Sequence, residues 1–267
     1  MRGYEGHGAM VGVGLGSRWA LRGLAAAAIL CLGLGGVQAA SLTCDVPAGF
    51  FADQPLLPKT VKALNQGGKI LIVAVGGGST LGNAAGNLES TWPGRLGGAL
   101  VQRFPNAQIT VVNRGAARLS AATLASRLER DILDLHPTLV IMDVGTTDTV
   151  RNTDPDDFRN ALQSSIEQLQ ADGPEIILMD MQFSRRTHAV LNFERYLSVL
   201  REVADVYDVP VYSRHELMRT WAEANPLFDA FERESEKRRA FAVWLYGCIG
   251  NSLADFITRR PAAGQAK

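Results

Sequence analysis

Five short apolar runs separated by helical patterns constrain this chain more than any other feature in it. The first, Lys69-Ile70-Leu71-Ile72-Val73-Ala74-Val75, is continuous, as in a strand covered on both faces. Ile109–Val112, Leu139–Met142, Ile176–Met179 and the shorter Val209–Tyr212 follow. Between them Leu124, Leu128, Ile132 and Leu135 share one helical face, as do Phe158, Leu162, Ile166 and Leu169. The second of these helices has Asp154 as N-cap, Pro155 in its first turn and Gly173-Pro174 at its end. A last helix, over about 234–259, places Phe241, Trp244, Leu245, Cys248 and Phe256 on one stripe. The alternation predicts one α/β domain: a three-layer α/β/α sandwich around a five-stranded, mostly parallel sheet. No internal repeat or low-complexity linker divides it.

Residues 1–39 are unlike that domain. Arg18 and Arg22 precede an apolar stretch, Leu24–Leu34, that is short for a membrane span, and Val37-Gln38-Ala39 offers small residues before Ala40. The pattern predicts a signal peptide over 1–39 and a periplasmic or secreted domain over 40–267, with no membrane span after cleavage. An uncleaved anchor is the alternative, and translation from Met10 would shorten the leader. Loss of Cys31 leaves Cys44 and Cys248, which in an oxidising compartment suggest one disulfide, with two buried thiols as the alternative. The 27 basic and 27 acidic residues balance, so no nucleic-acid or basic membrane surface is indicated. No Cys/His cluster has metal-ligand spacing, and neither a metal nor another cofactor is expected.

In parallel sheets ligands bind outside the carboxyl ends of the strands. The loops there read Gly76-Gly77-Gly78-Ser79-Thr80-Leu81-Gly82, Asn113-Arg114-Gly115, Gly145-Thr146-Thr147-Asp148 and Asp180-Met181-Gln182-Phe183-Ser184. The first is not a P-loop, since no Gly-Lys-Ser/Thr follows. Leu81 stands where a dinucleotide fingerprint, or a Gly-x-Ser-x-Gly elbow around Ser79, needs glycine.

In order and spacing these loops resemble the blocks of the SGNH (GDSL) hydrolases, ester hydrolases built on a flavodoxin-like sheet. Gly76, Thr80 and Gly82 match Gly-Asp-Ser-x-Thr-x-Gly; Asn113 and Gly115 match Asn-x-Gly; Gly145 and Asp148 match Gly-x-Asn-Asp. The resemblance implies an oxyanion role for the Gly115 N–H. The departures fall on the chemistry. Gly77 occupies the aspartate position, Gly78 that of the nucleophilic serine, and Thr147 that of the oxyanion asparagine. Asp-x-x-His, which supplies the base, occurs nowhere; Trp244–Asn251, where it should fall, holds no histidine or carboxylate. A missing oxyanion donor slows an enzyme by ~2.7–4 kcal/mol of transition-state stabilisation, whereas a missing nucleophile and base remove the covalent route.

Three functions follow as expectations. The first is a degenerate esterase, a pseudoenzyme whose cleft holds a small molecule or an acylated glycan. Gly76, Gly77, Gly78, Asn113, Arg114 and Gln182 are its candidate contacts, and Arg114, Arg185 and Arg186 can pair with an anionic group or simply form a solvated face. The second is an active carbohydrate or lipid esterase, with Ser79 displaced by one position and His188 or His215 relocated as base. Its catalytic candidates are Ser79, Gly115, Thr147 and His188. The third is an interaction role for the C-terminal helix or the surroundings of Trp221 and Trp244. Asp143 and Asp180, at strand ends, are expected near the cleft. Oligomeric state is not legible.

Overall fold

A computed structural model describes residues 43–225, 228 and 235–260, all within the unit Ala40–Lys267. The expected leader, with Arg18, Arg22 and Cys31, lies outside the described residues.

Each apolar run forms a strand: β1 (Lys69–Gly76), β2 (Gln108–Gly115), β3 (Leu139–Asp143), β4 (Glu175–Met179) and β5 (Val211–Tyr212). All adjacent pairs are parallel and the order is β2-β1-β3-β4-β5. Alternation along each strand feeds two cores. Ile72, Ala74, Ile141 and Ile177 face one, and Val73, Val75, Val140 and Leu178 the other. A sheet buried on both faces needs no polar alternation, which explains the continuous runs.

The first core is covered by α1 (Pro58–Asn65), α3 (Trp92–Arg103), α10 (Arg214–Ala224) and α11 (Ser235–Thr258). The short α2 (Gly78–Leu81) precedes α3. The second core is covered by α4 (Ala121–Ala125), α5 (Leu128–Asp131), α7 (Pro155–Asp172) and α9 (Phe193–Val206). Two one-turn helices, α6 (Thr146–Arg151) and α8 (Arg185–His188), lie in loops after β3 and β4. The Asp154 carboxylate caps α7 through the Asp156 N–H, and Gly173, at φ 102°, ends it. The stripe Leu124–Leu135 is buried or half-buried as expected but not on one helix. It is divided among α4, α5 and a 3-10 turn that ends at left-handed His136, just before Pro137.

By length and composition α11 can cross a membrane, yet Leu245, Cys248, Ile249, Leu253, Phe256 and Ile257 lie in the core. Phe241 and Trp244, from the same expected stripe, are half-buried against it. Cys44 and Cys248 form a disulfide with Cα atoms 5.4 Å apart, tying the N-terminal segment to α11 across 204 residues. Closing a loop of that length is worth roughly 5 kcal/mol in the chain-entropy account. The Trp221 indole N–H donates to the Asp45 carbonyl at 2.8 Å and holds the same segment.

Candidate functional site

In this strand order the chain reverses direction across the sheet between β1 and β3, which opens a crevice at their carboxyl ends. Gly76 ends β1 and pairs with Gly115 on one side and Asp143 on the other. A Cβ on Gly76 would stand 2.4 Å from Thr80 Oγ1 and 2.5 Å from Asp143 Cβ; on Gly115 it would stand 2.2 Å from the Leu81 nitrogen. Both glycines are required because α2 lies directly on the strand ends. Asn113 fastens it there: its Nδ2 donates to the Thr80 carbonyl at 2.7 Å, while its Oδ1 accepts from the Gly115 N–H at 2.8 Å. The N–H expected at an oxyanion is therefore engaged within the loop.

A cavity of about 360 Å³ occupies the crevice. Gly77, Gly78 and Ser79 line it from the β1 loop, and Asp143, Gly145, Thr146 and Thr147 from β3 and α6. Ala84, Leu119, Gln182 and Tyr246 complete the wall. Asn113 instead lines a separate, more open hollow of about 600 Å³ between α3 and α11. The smaller cavity is the candidate site because the hydroxyl and amide groups converge there. Gly78, which the resemblance sets at the nucleophile position, is exposed, and a Cβ there would meet nothing within 4 Å. At Gly77 the nearest atom would be Thr147 Oγ1, 3.9 Å away. Both positions have room for a larger side chain.

Ser79 is held from below. Its hydroxyl donates to Asp143 Oδ2 at 2.5 Å, and the Thr80 hydroxyl donates to the same oxygen at 2.7 Å. Arg214 closes the group: one guanidinium nitrogen donates to Asp143 Oδ1 at 2.6 Å, the other to Ser79 Oγ at 3.0 Å and Asp143 Oδ2 at 3.3 Å. The ion pair is almost fully buried, with side-chain exposures of 1% and 3%. Removing one partner from such a pair strands a buried charge, at a cost of about 3–5 kcal/mol.

Among the described residues no histidine lines the cavity. His188 is exposed on α8, its ring centroid 5.3 Å from Phe183 and 5.4 Å from His215. His215 is buried on α10 against Phe183 and Phe193; burial, reinforced by His188, pushes its pKa down to about 4. Asp180, expected at the cleft, is wholly buried beneath it and accepts the His215 backbone N–H at 2.7 Å. Burial pushes this carboxyl up to about 7. Asp148 accepts the Ala121 N–H with both oxygens at 3.2 Å, so it clamps the start of α4. Arg114, Arg185 and Arg186 do not line the cavity, and Arg185 donates to the Ala222 carbonyl.

Sequence reasoning passed over Arg214 and Tyr246. The pairing of Arg214 with Asp143 spans 71 residues, so no local spacing announces it. Tyr246 lies inside the segment that fails to supply the fourth block, and the absence of histidine there drew attention from what was present.

Comparison with known proteins agrees with this geometry. The model of the Non-GDSL lipase-like family matches residues 43–263. No curated protein sequence matches the chain. Among solved structures, a two-domain esterase active on acetylated mannans superposes with a TM-score of 0.61 at 16% identity, over 81% of this chain and 58% of that one. LAE5, an α/β hydrolase enzyme from the metagenome of Lake Arreo, Spain, gives 0.53 at 19% identity, over 67% and 96%. The SGNH-hydrolase family esterase AlinE4 gives 0.51 at 21%, over 62% and 84%. At such identities these structures speak for the fold. With the family match spanning nearly the whole described domain, this chain belongs to the Non-GDSL lipase-like family and carries an SGNH-type esterase fold.

Proposed function

We propose that this chain is an exported protein of the cell envelope, periplasmic or secreted, whose crevice binds an acylated glycan or a similar envelope ligand without hydrolysing it. One observation carries the reading: Ser79, the one serine in the described cavity lining, donates its hydroxyl hydrogen bond to a carboxylate already bound by Arg214. A serine hydroxyl attacks only when a base can take its proton, and imidazole, far more basic than a carboxylate, is absent from the described cavity wall. What remains suits neutral, hydroxyl-rich ligands: Ser79, Thr146, Thr147, Gln182 and Tyr246 offer hydroxyl and amide groups, and the charge of Asp143 is neutralised by Arg214. The Cys44–Cys248 disulfide supports an oxidising compartment.

A second reading, an active esterase using Ser79 with Asp143 as base, has the 2.5 Å bond between them in its favour. Incubation of the purified protein with acetylated xylo-oligosaccharides separates the two. Binding without hydrolysis predicts a saturable calorimetric signal, recovery of fully acetylated ligand by mass spectrometry, and at least tenfold weaker affinity in Tyr246→Ala. Release of acetate would establish the second reading.

A further inference from the structure

Three buried side-chain atoms without a hydrogen-bond partner lie in one network: Arg214 Nε, Asp180 Oδ2 and His215 Nε2. Arg214 and His215 are consecutive, and Asp180 is joined to them through the His215 N–H. Buried polar atoms are rarely orphaned, so their concentration here calls for an explanation. Charge supplies one. One guanidinium lies among two buried carboxylates, Asp143 on β3 and Asp180 just after β4. Both of its terminal nitrogens serve Asp143, while its Nε–H, the unused donor, belongs to the residue next to the one that binds Asp180. The surroundings add little compensation. Tyr212 on β5 is neutral, Arg201 on α9 acts from a distance, and His188 on α8 and Glu216 on α10 reach the network only through His215.

We propose that Asp180 is a positioning residue that decides how Arg214 holds Ser79. With Asp180 protonated, the guanidinium pairs with Asp143 alone and ties the Ser79 hydroxyl. With Asp180 ionised, the second buried negative charge draws the Nε–H toward itself. The longest bonds of the guanidinium, 3.3 Å to Asp143 Oδ2 and 3.0 Å to Ser79 Oγ, are the ones to yield. The hydroxyl facing the cavity is then released from one of its two partners. Two of the three orphans, Arg214 Nε and Asp180 Oδ2, are accounted for as the two halves of a bond made only in the other state. Burial places the Asp180 proton in the physiological range, at a pKa of about 7. The device acts whether the crevice binds or hydrolyses, and it stands or falls separately from that reading.

Nuclear magnetic resonance of the purified protein tests it without a ligand. The Arg214 Nε–H resonance and the Asp180 carboxyl carbon, followed from pH 5 to 9, are expected to shift together with one midpoint near 7. Asp180→Asn should abolish the Arg214 step, and His188→Asn should leave it in place. An Arg214 signal that stays flat in the wild-type protein, moves at a midpoint different from that of the Asp180 carboxyl, or persists in Asp180→Asn would overturn the proposal. The coincidence of the two wild-type titrations decides the matter even if Asp180→Asn fails to fold.

Discussion

The crevice has two halves held together by different forces. On the β1–β2 side Gly76, Gly115, Asn113 and Thr80 hold the loop close against the strand ends, with open space at Gly77 and Gly78. The β3–β4–β5 side is built on charge instead. Asp143, Asp180, Arg214 and His215 form a buried charge network, and no described histidine faces the cavity. Sterics and charge therefore do separate work in one pocket: backbone proximity is set by the glycines, and the side chains beyond β3 and β4 by the buried ion pair.

The largest effect should come from the β3–β4–β5 half. Arg214→Met leaves Asp143 buried and unpaired and should lower stability by about 3–5 kcal/mol in urea unfolding, with most of the loss recovered by adding Asp143→Asn. A loss under about 1 kcal/mol would mean that the network does not hold this side together.

The next effect depends on pH. Asp180 carries its proton in the folded state up to about pH 7 but loses it near 3.9 when unfolded, so its contribution is complete at low pH and is lost as pH rises toward 7. Asp180→Asn should therefore gain roughly 2–4 kcal/mol relative to wild type between pH 4 and pH 7.5. His215 acts oppositely. Held down to about 4, it stabilises above its unfolded value and loses that contribution as pH falls. The difference between variant and wild type removes the His215 slope. A constant difference across this range would show that Asp180 is ionised throughout.

The β1–β2 half gives a smaller, local contrast. Gly115→Ala drives a methyl group into the Leu81 backbone and should cost roughly 2–3 kcal/mol, whereas Gly78→Ala should range from no change to a gain of about 1 kcal/mol. Equal effects would remove the distinction between a packed strand end and an open side-chain position.

How much of this was legible in the chain depends on range. The strands and the sandwich could be read because burial on both faces writes itself as continuous apolar runs such as Lys69–Val75. The β1–β2 half could be read because its contacts join residues a few positions from fixed glycines. The cysteine pairing also emerged, since only two cysteines remained to consider. The β3–β4–β5 half could not be read. Arg214 meets Asp143 across 71 residues, Asp180 turns inward rather than to the cleft, and His188 turns to Phe183 rather than Ser79. Side-chain direction beyond a strand end is set by packing, and loop position alone does not reveal it.

The proposal that matters most is that Ser79, bonded to the Arg214-paired Asp143, does not act as a nucleophile. Its most direct test is hydrolysis of p-nitrophenyl acetate by the purified protein beside its Ser79→Ala variant. The account predicts equal, near-background rates in both. Turnover in the wild-type protein that disappears with Ser79 would contradict it and make this chain an esterase working through a relocated serine.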